Sequence, residues 1–170
     1  MGRLQNIGMA LRKNDGSEWQ LTTLSMPMTA YDVALARLSK GELCQLADGL
    51  LTLDTAAIEK CIAFILMETR GDRHGRARAV MCRRLKHCPI SSAQRLALLT
   101  CILGRLSHGI FAEQFKDQLR LAIALDPWQT RITSQQCLTS AKPYVKRYAA
   151  WLFGLPRVRQ AVSNPIGAVN

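Results

Sequence analysis

The chain's chemistry-bearing residues crowd into one stretch, Gly71–Cys88, "GDRHGRARAVMCRRLKHC". It carries five arginines and one lysine, with two of the three histidines and two of the six cysteines. Three readings compete for such a mixture: a phosphate grip by guanidinium groups, a metal or redox centre of Cys and His, and the wet face of an ordinary helix. The planar fork of arginine matches phosphate oxygens in pairs, so several on one arc suit a polyanion. On a helical wheel, Arg73, Arg76, Arg83, Arg84 and His87 fall within an arc of about 100°, with Lys86 at its edge. Ala77, Met81, Leu85 and Cys88 take the opposite arc. Arg78 lies beside the apolar face and reads as a structural residue that either snorkels or pairs with a neighbouring carboxylate such as Glu68 or Asp72.

The metal reading is weak. No two cysteines have CxxC spacing, and Cys82, His87 and Cys88 do not match a usual zinc pattern. Cysteines 44, 61, 82, 88, 101 and 137 mostly fall inside apolar helical patterns, where a thiol behaves as a small hydrophobe. Such usage suits a reducing, cytoplasmic compartment. The expectation is no metal and no cofactor. Catalytic signatures are likewise missing: there is no phosphate-binding glycine loop, no dinucleotide fingerprint, no HExxH and no GxSxG. Asp48 and Asp54 approach each other in "DGLLTLD", but they read as a turn residue and a helix cap. His74, His87 and His108 read as surface histidines. The expected protein is not an enzyme and acts by binding.

Charge says where it binds. The net charge is +11, and residues 70–95 contribute +7 while residues 127–170 contribute +6 with no acid at all. The remainder is slightly acidic, so the excess is concentrated in two blocks. A one-signed block makes a field that attracts a polyanion or an acidic protein face. The second block is Lys142, Lys146, Arg147, Arg157 and Arg159. Tyr144, Tyr148 and Trp151 recur there at helical steps and read as core rather than as a stacking platform.

Helices must position these groups. Residues 1–28 are weakly patterned, and a short hairpin from about Met9 to Leu24 is the one element they suggest. The N-terminus has neither a long apolar run nor a small-residue cleavage site, and Asn6 breaks a myristoylation pattern. From Thr29 the period becomes helical, with Gly41 ending a first helix and a turn over Glu42–Ala47. Further helices are predicted at 55–69, 76–87, 93–103, about 111–125, 130–138 and 143–153, with no apolar run near the roughly 20 residues of a membrane span. Short links place neighbours antiparallel. The predicted organisation is a weakly structured segment 1–28, one α-helical repeat-like domain 29–155 and a flexible tail 156–170.

"SAKPYVKRYAAWLFGL" (Ser140–Leu155) resembles the second helix of a HEAT-type repeat. Val145-Lys146-Arg147, Ala149-Ala150 and Leu152 carry the likeness, after Pro143 in the turn. "GDRHGRARAVMCRRL" is a looser copy, with Arg76 and Arg78 before Ala79 and Leu85. The resemblance spans about 60 residues and implies an all-α fold: a small HEAT-like α-solenoid, or else an irregular helical bundle of antiparallel helix pairs. It implies a binding surface, with corresponding second helices lining one side of the stack. The candidate nucleic-acid-binding residues are therefore Arg73, Arg76, Arg83, Arg84, Lys86, Lys146 and Arg147. The alternative partner is an acidic protein docked on the same scaffold. No membrane partner and no small-molecule cofactor are expected.

Overall fold

The computed structural model describes residues 6–13, 19–26, 30–67, 74–111 and 114–161. Strands β1 (Asn6–Lys13) and β2 (Trp19–Met26) pair antiparallel, with Asn6 opposite Met26 and Lys13 opposite Trp19. The weakly patterned segment thus holds a hairpin longer than the Met9–Leu24 expectation. From Ala30 onward every described element is a helix, so the domain is an all-α bundle.

Helix α1 (Ala30–Ala36) leads into α2 (Lys40–Gly49). A turn over Glu42–Ala47, as the sequence suggested, does not form. Ser39 Oγ accepts from the Glu42 N–H, and Glu42 Oε2 accepts from the Ser39 N–H at 2.7 Å. This reciprocal cap starts a helix at Lys40 and places Gly41 in its first turn. Asp54 caps α3 (Thr55–Leu66) by accepting from the Ala56 N–H at 3.0 Å. Helix α4 (His74–Leu85) follows, then α5 (Ser92–His108), which Ser91 and Gln94 cap in the same reciprocal way. Helix α5 runs past Gly104 and stops at Gly109.

Helices α6 (Phe115–Leu125) and α7 (Pro127–Cys137) share Asp126, which closes the first and caps the second. Helices α8 (Pro143–Gly154) and α9 (Pro156–Arg159) both begin on proline, whose missing N–H is harmless at that position.

Helices α2, α3 and α4 pack on one another, while α6 packs on α4, α5 and α7. Phe64, Met81, Leu98, Ile102, Leu119 and Leu152 are among the fully buried side chains that join these helices into one core. Two arginines sit in that core. Arg105 Nη1 donates to Ile65 O at 2.8 Å and to Gln118 Oε1 at 2.9 Å, while its Nη2 donates to Leu66 O and Met67 O. Arg78 Nη2 also donates to Met67 O, at 3.2 Å, and its guanidinium lies 5.2 Å from the Phe64 ring. These carbonyls end α3 and have no partner within the helix, so both cations satisfy orphan acceptors at the negative end of its dipole. The expectation that Arg78 is structural agrees with this placement. Glu68 and Asp72, its suggested partners, lie outside the described residues.

Gly109 sets where α8 goes. Its φ of 64° is left-handed, and a Cβ there would meet Lys142, Tyr144 and Val145 at 2.9 Å. The Tyr144 hydroxyl donates to Gly109 O at 3.2 Å and Lys142 Nζ donates to His108 O. The end of α5 and the start of α8 are thereby held in contact.

Candidate functional site

Helix α4 does not present a bare cationic face. Arg83 Nη1 donates to Asp117 Oδ2 on α6 at 2.8 Å, and Arg84 Nη1 donates to Asp48 Oδ1 on α2 at 2.6 Å. The two neighbouring arginines thus lean opposite ways, and each meets a carboxylate. Arg76 and Lys86 are exposed and carry no ion pair among the described residues. Arg76 joins Arg84 along a groove against α2. Arg73 lies outside the described residues.

Helix α8 is different. Val145, Ala149 and Leu152 are buried, and Tyr148 sets its ring edge against Phe111 and Phe115. The opposite side carries Lys146 and Arg147, both exposed and without an ion pair among the described residues. Trp151 stands one turn after Arg147, on the same side. Tyr148 serves packing, as its spacing suggested, whereas Tyr144, expected in the core, is exposed with its ring edge on Phe111. Trp151 is only half-buried, and it borders cations of another helix: Lys116 Nζ lies 5.5 Å and the Arg120 guanidinium 5.9 Å from its ring.

Those cations belong to α6, which buries eight of its eleven residues. Lys116 and Arg120, one turn apart, are its exposed stripe. Arg120 Nη1 donates to Asp117 Oδ1 at 3.0 Å, on the same carboxylate that receives Arg83. Asp117 is 10% exposed at its side chain, whereas Arg83 and Arg120 are 50% and 52% exposed. One sunken carboxylate therefore orients two guanidinium groups whose other faces still reach water. A continuous path results: Arg83 on α4, Asp117 and Arg120 on α6, then Trp151 and Arg147 on α8. It links the two basic blocks through a helix from the segment 96–126, whose charges cancel in the sequence count.

Sequence reasoning missed Lys116 and Arg120 because residues 96–126 balance at three bases and three acids. The available signal was positional: both fall on the one polar stripe of an otherwise apolar helix. Of the candidate residues, Arg83 and Arg147 fall on this path, Lys146 is exposed about 100° round α8 from Arg147, and Arg76 and Arg84 line the groove beside α2.

Burial pushes the Cys61 and Cys82 thiols up to about 12, which keeps them protonated and inert. Among the described residues, no group of three His, Cys, Asp or Glu side chains is placed to hold a metal ion, and no helix is long and apolar enough to cross a membrane. His74 is not a surface residue as expected. It is buried edge-on against Phe64, 5.3 Å between ring centres. No family model, no curated protein and no solved structure matches the chain.

Proposed function

We propose that this protein binds nucleic acid through its phosphate backbone, using the surface that α4, α6 and α8 share. The observation that carries this reading is the path Arg83–Asp117–Arg120–Trp151–Arg147, with Lys116 beside the indole. Its cations outnumber its carboxylates four to one if Lys116 is included. Arginine and lysine on such a stripe neutralise phosphates and release counterions. Trp151 adds a flat apolar face on which an unpaired base can stack, a contact worth about 1–3 kcal/mol.

The test is a titration of labelled oligonucleotides, single-stranded and duplex, over a salt series. Four phosphate contacts predict a log–log slope of about −3 to −4 on duplex DNA. Lys146→Glu with Arg147→Glu lowers affinity at least roughly tenfold, while Arg84→Met, already matched to Asp48, leaves it unchanged. A flat salt series sinks the reading. So does a partner captured by the chain that survives nuclease treatment and is lost with the same double variant, for the surface then serves an acidic protein.

A further inference from the structure

A second site lies on the far side of α4. Between α2 and α4 runs a groove of about 410 Å³, lined by Lys40, Leu43, Cys44, Ala47 and Asp48 from one helix and Arg76, Ala77, Val80 and Arg84 from the other. This volume falls within the range of small-ligand sites. The residues of each helix follow helical spacing, so two stripes face each other across the groove. Their polar groups sit at the ends and their apolar groups between them.

The orientation of the stripes gives the groove a polarity. Arg84 pairs with Asp48 at 2.6 Å, and Cys88 Sγ contacts Leu50 O at 3.6 Å, so the C-terminal ends of α2 and α4 are side by side. Lys40 and Arg76 each lie eight residues earlier on their helices, hence both mark the opposite end, about 12 Å away. They are exposed and carry no ion pair among the described residues. Of the acids nearest in sequence, Glu42, beside Lys40, is turned back onto Ser39, and Asp72, four residues before Arg76, lies outside the described residues. One end is cationic. The other carries the Arg84–Asp48 ion pair, neutral as a whole. The floor between them is Leu43, Cys44, Ala47, Ala77 and Val80, mostly small side chains that leave width for a single slim chain.

We infer that this groove binds a single-chain amphiphilic anion, such as a fatty-acyl carboxylate. Its headgroup lies between Lys40 and Arg76, and its tail runs over Ala77 and Val80 toward Arg84. Asp48 at the far end disfavours a second anionic group there, which sets the direction of the ligand. The site is independent of the phosphate-binding surface, because α4 separates the two.

Calorimetric titration of the full chain with monomeric dodecanoate tests this. The expected result is saturable one-to-one uptake with a negative heat-capacity change. Shortening the tail by two methylenes weakens binding by up to about tenfold. Dodecyltrimethylammonium, with the same tail and the opposite charge, binds at least tenfold more weakly than dodecanoate by a rough charge-reversal estimate. Lys40→Glu with Arg76→Glu, both at exposed positions, abolishes dodecanoate uptake and leaves the circular dichroism melt intact. Arg147→Glu leaves uptake unchanged. Equal binding of the two headgroups overturns the assignment, as does full uptake by the Lys40/Arg76 double variant. Sedimentation with anionic vesicles without uptake of monomeric dodecanoate also overturns it, because the anion recognised then belongs to a bilayer.

Discussion

Helices α4 and α8 are both basic, yet they spend their charge differently. Helix α4 packs between α2 and α6, which bring Asp48 and Asp117 to Arg84 and Arg83. Its Arg78 turns inward to the end of α3. Helix α8 packs against α5, α7 and α9, and no acid occurs in the chain after Asp126. Among the described residues no carboxylate pairs with Lys146 or Arg147. Net charge along a sequence measures supply. The charge available to a partner depends on which acids the fold sets alongside.

The contrast breaks most visibly in stability. Arg78→Ala removes a buried guanidinium that holds a helix-terminal carbonyl and covers Phe64, so it costs about 2–3 kcal/mol in urea unfolding. Arg147→Ala, at an exposed and unpaired site, changes stability by less than about 0.5 kcal/mol. Comparable losses for the two variants contradict the division between inward and outward charge.

Binding gives a finer probe. Asp117→Asn keeps the shape of the side chain and removes the charge that Arg83 and Arg120 share. Both guanidinium groups then gain net charge for a partner. Oligonucleotide affinity should tighten by up to about tenfold at low salt, and the salt slope should steepen by about 0.9 for each phosphate gained. Stability should fall by about 1–2 kcal/mol, since two charge-assisted hydrogen bonds weaken. Weaker binding in this variant means that Asp117 positions the arginines for the ligand rather than competing with it.

The helical order was legible in the sequence because it follows from apolar period and caps. Asp54 announced its helix, and the place of Arg78 beside the apolar face showed on the wheel. Helix α2 was not legible, because Gly41 resembled a stop until the Ser39–Glu42 reciprocal cap was in place. The site was half legible. Arg147 and Lys146 stood out through the missing acids around them. Arg83 and Arg84 looked free only because Asp117 and Asp48 lie 34 and 36 residues away along the chain. Lys116 and Arg120 were hidden by the opposite fault, a neutral block average that conceals an unbalanced stripe. Only tertiary pairing separates these cases, and residue counts do not contain it.

The smallest expected effect concerns pH, and it places a third kind of basic residue beside the two helices. His74 opens α4 but is buried against Phe64, and burial, with the Arg78 charge as a lesser cause, holds its pKa below the ordinary histidine value. The unfolded chain therefore binds a proton at His74 more readily than the folded one does. Stability contributed by the neutral imidazole is fully present above the unfolded value, near about 6.5, and is lost as pH falls from there toward the depressed folded value. Thermal melts of the parent between pH 7.5 and 5.5, roughly the window in which histidine titrates, should show a falling midpoint. His74→Phe, which keeps a ring against Phe64 and removes the titration, should flatten that fall, whatever its midpoint at neutral pH. An equal fall in both proteins assigns the pH dependence elsewhere and removes His74 from the account of how α4 uses its charge.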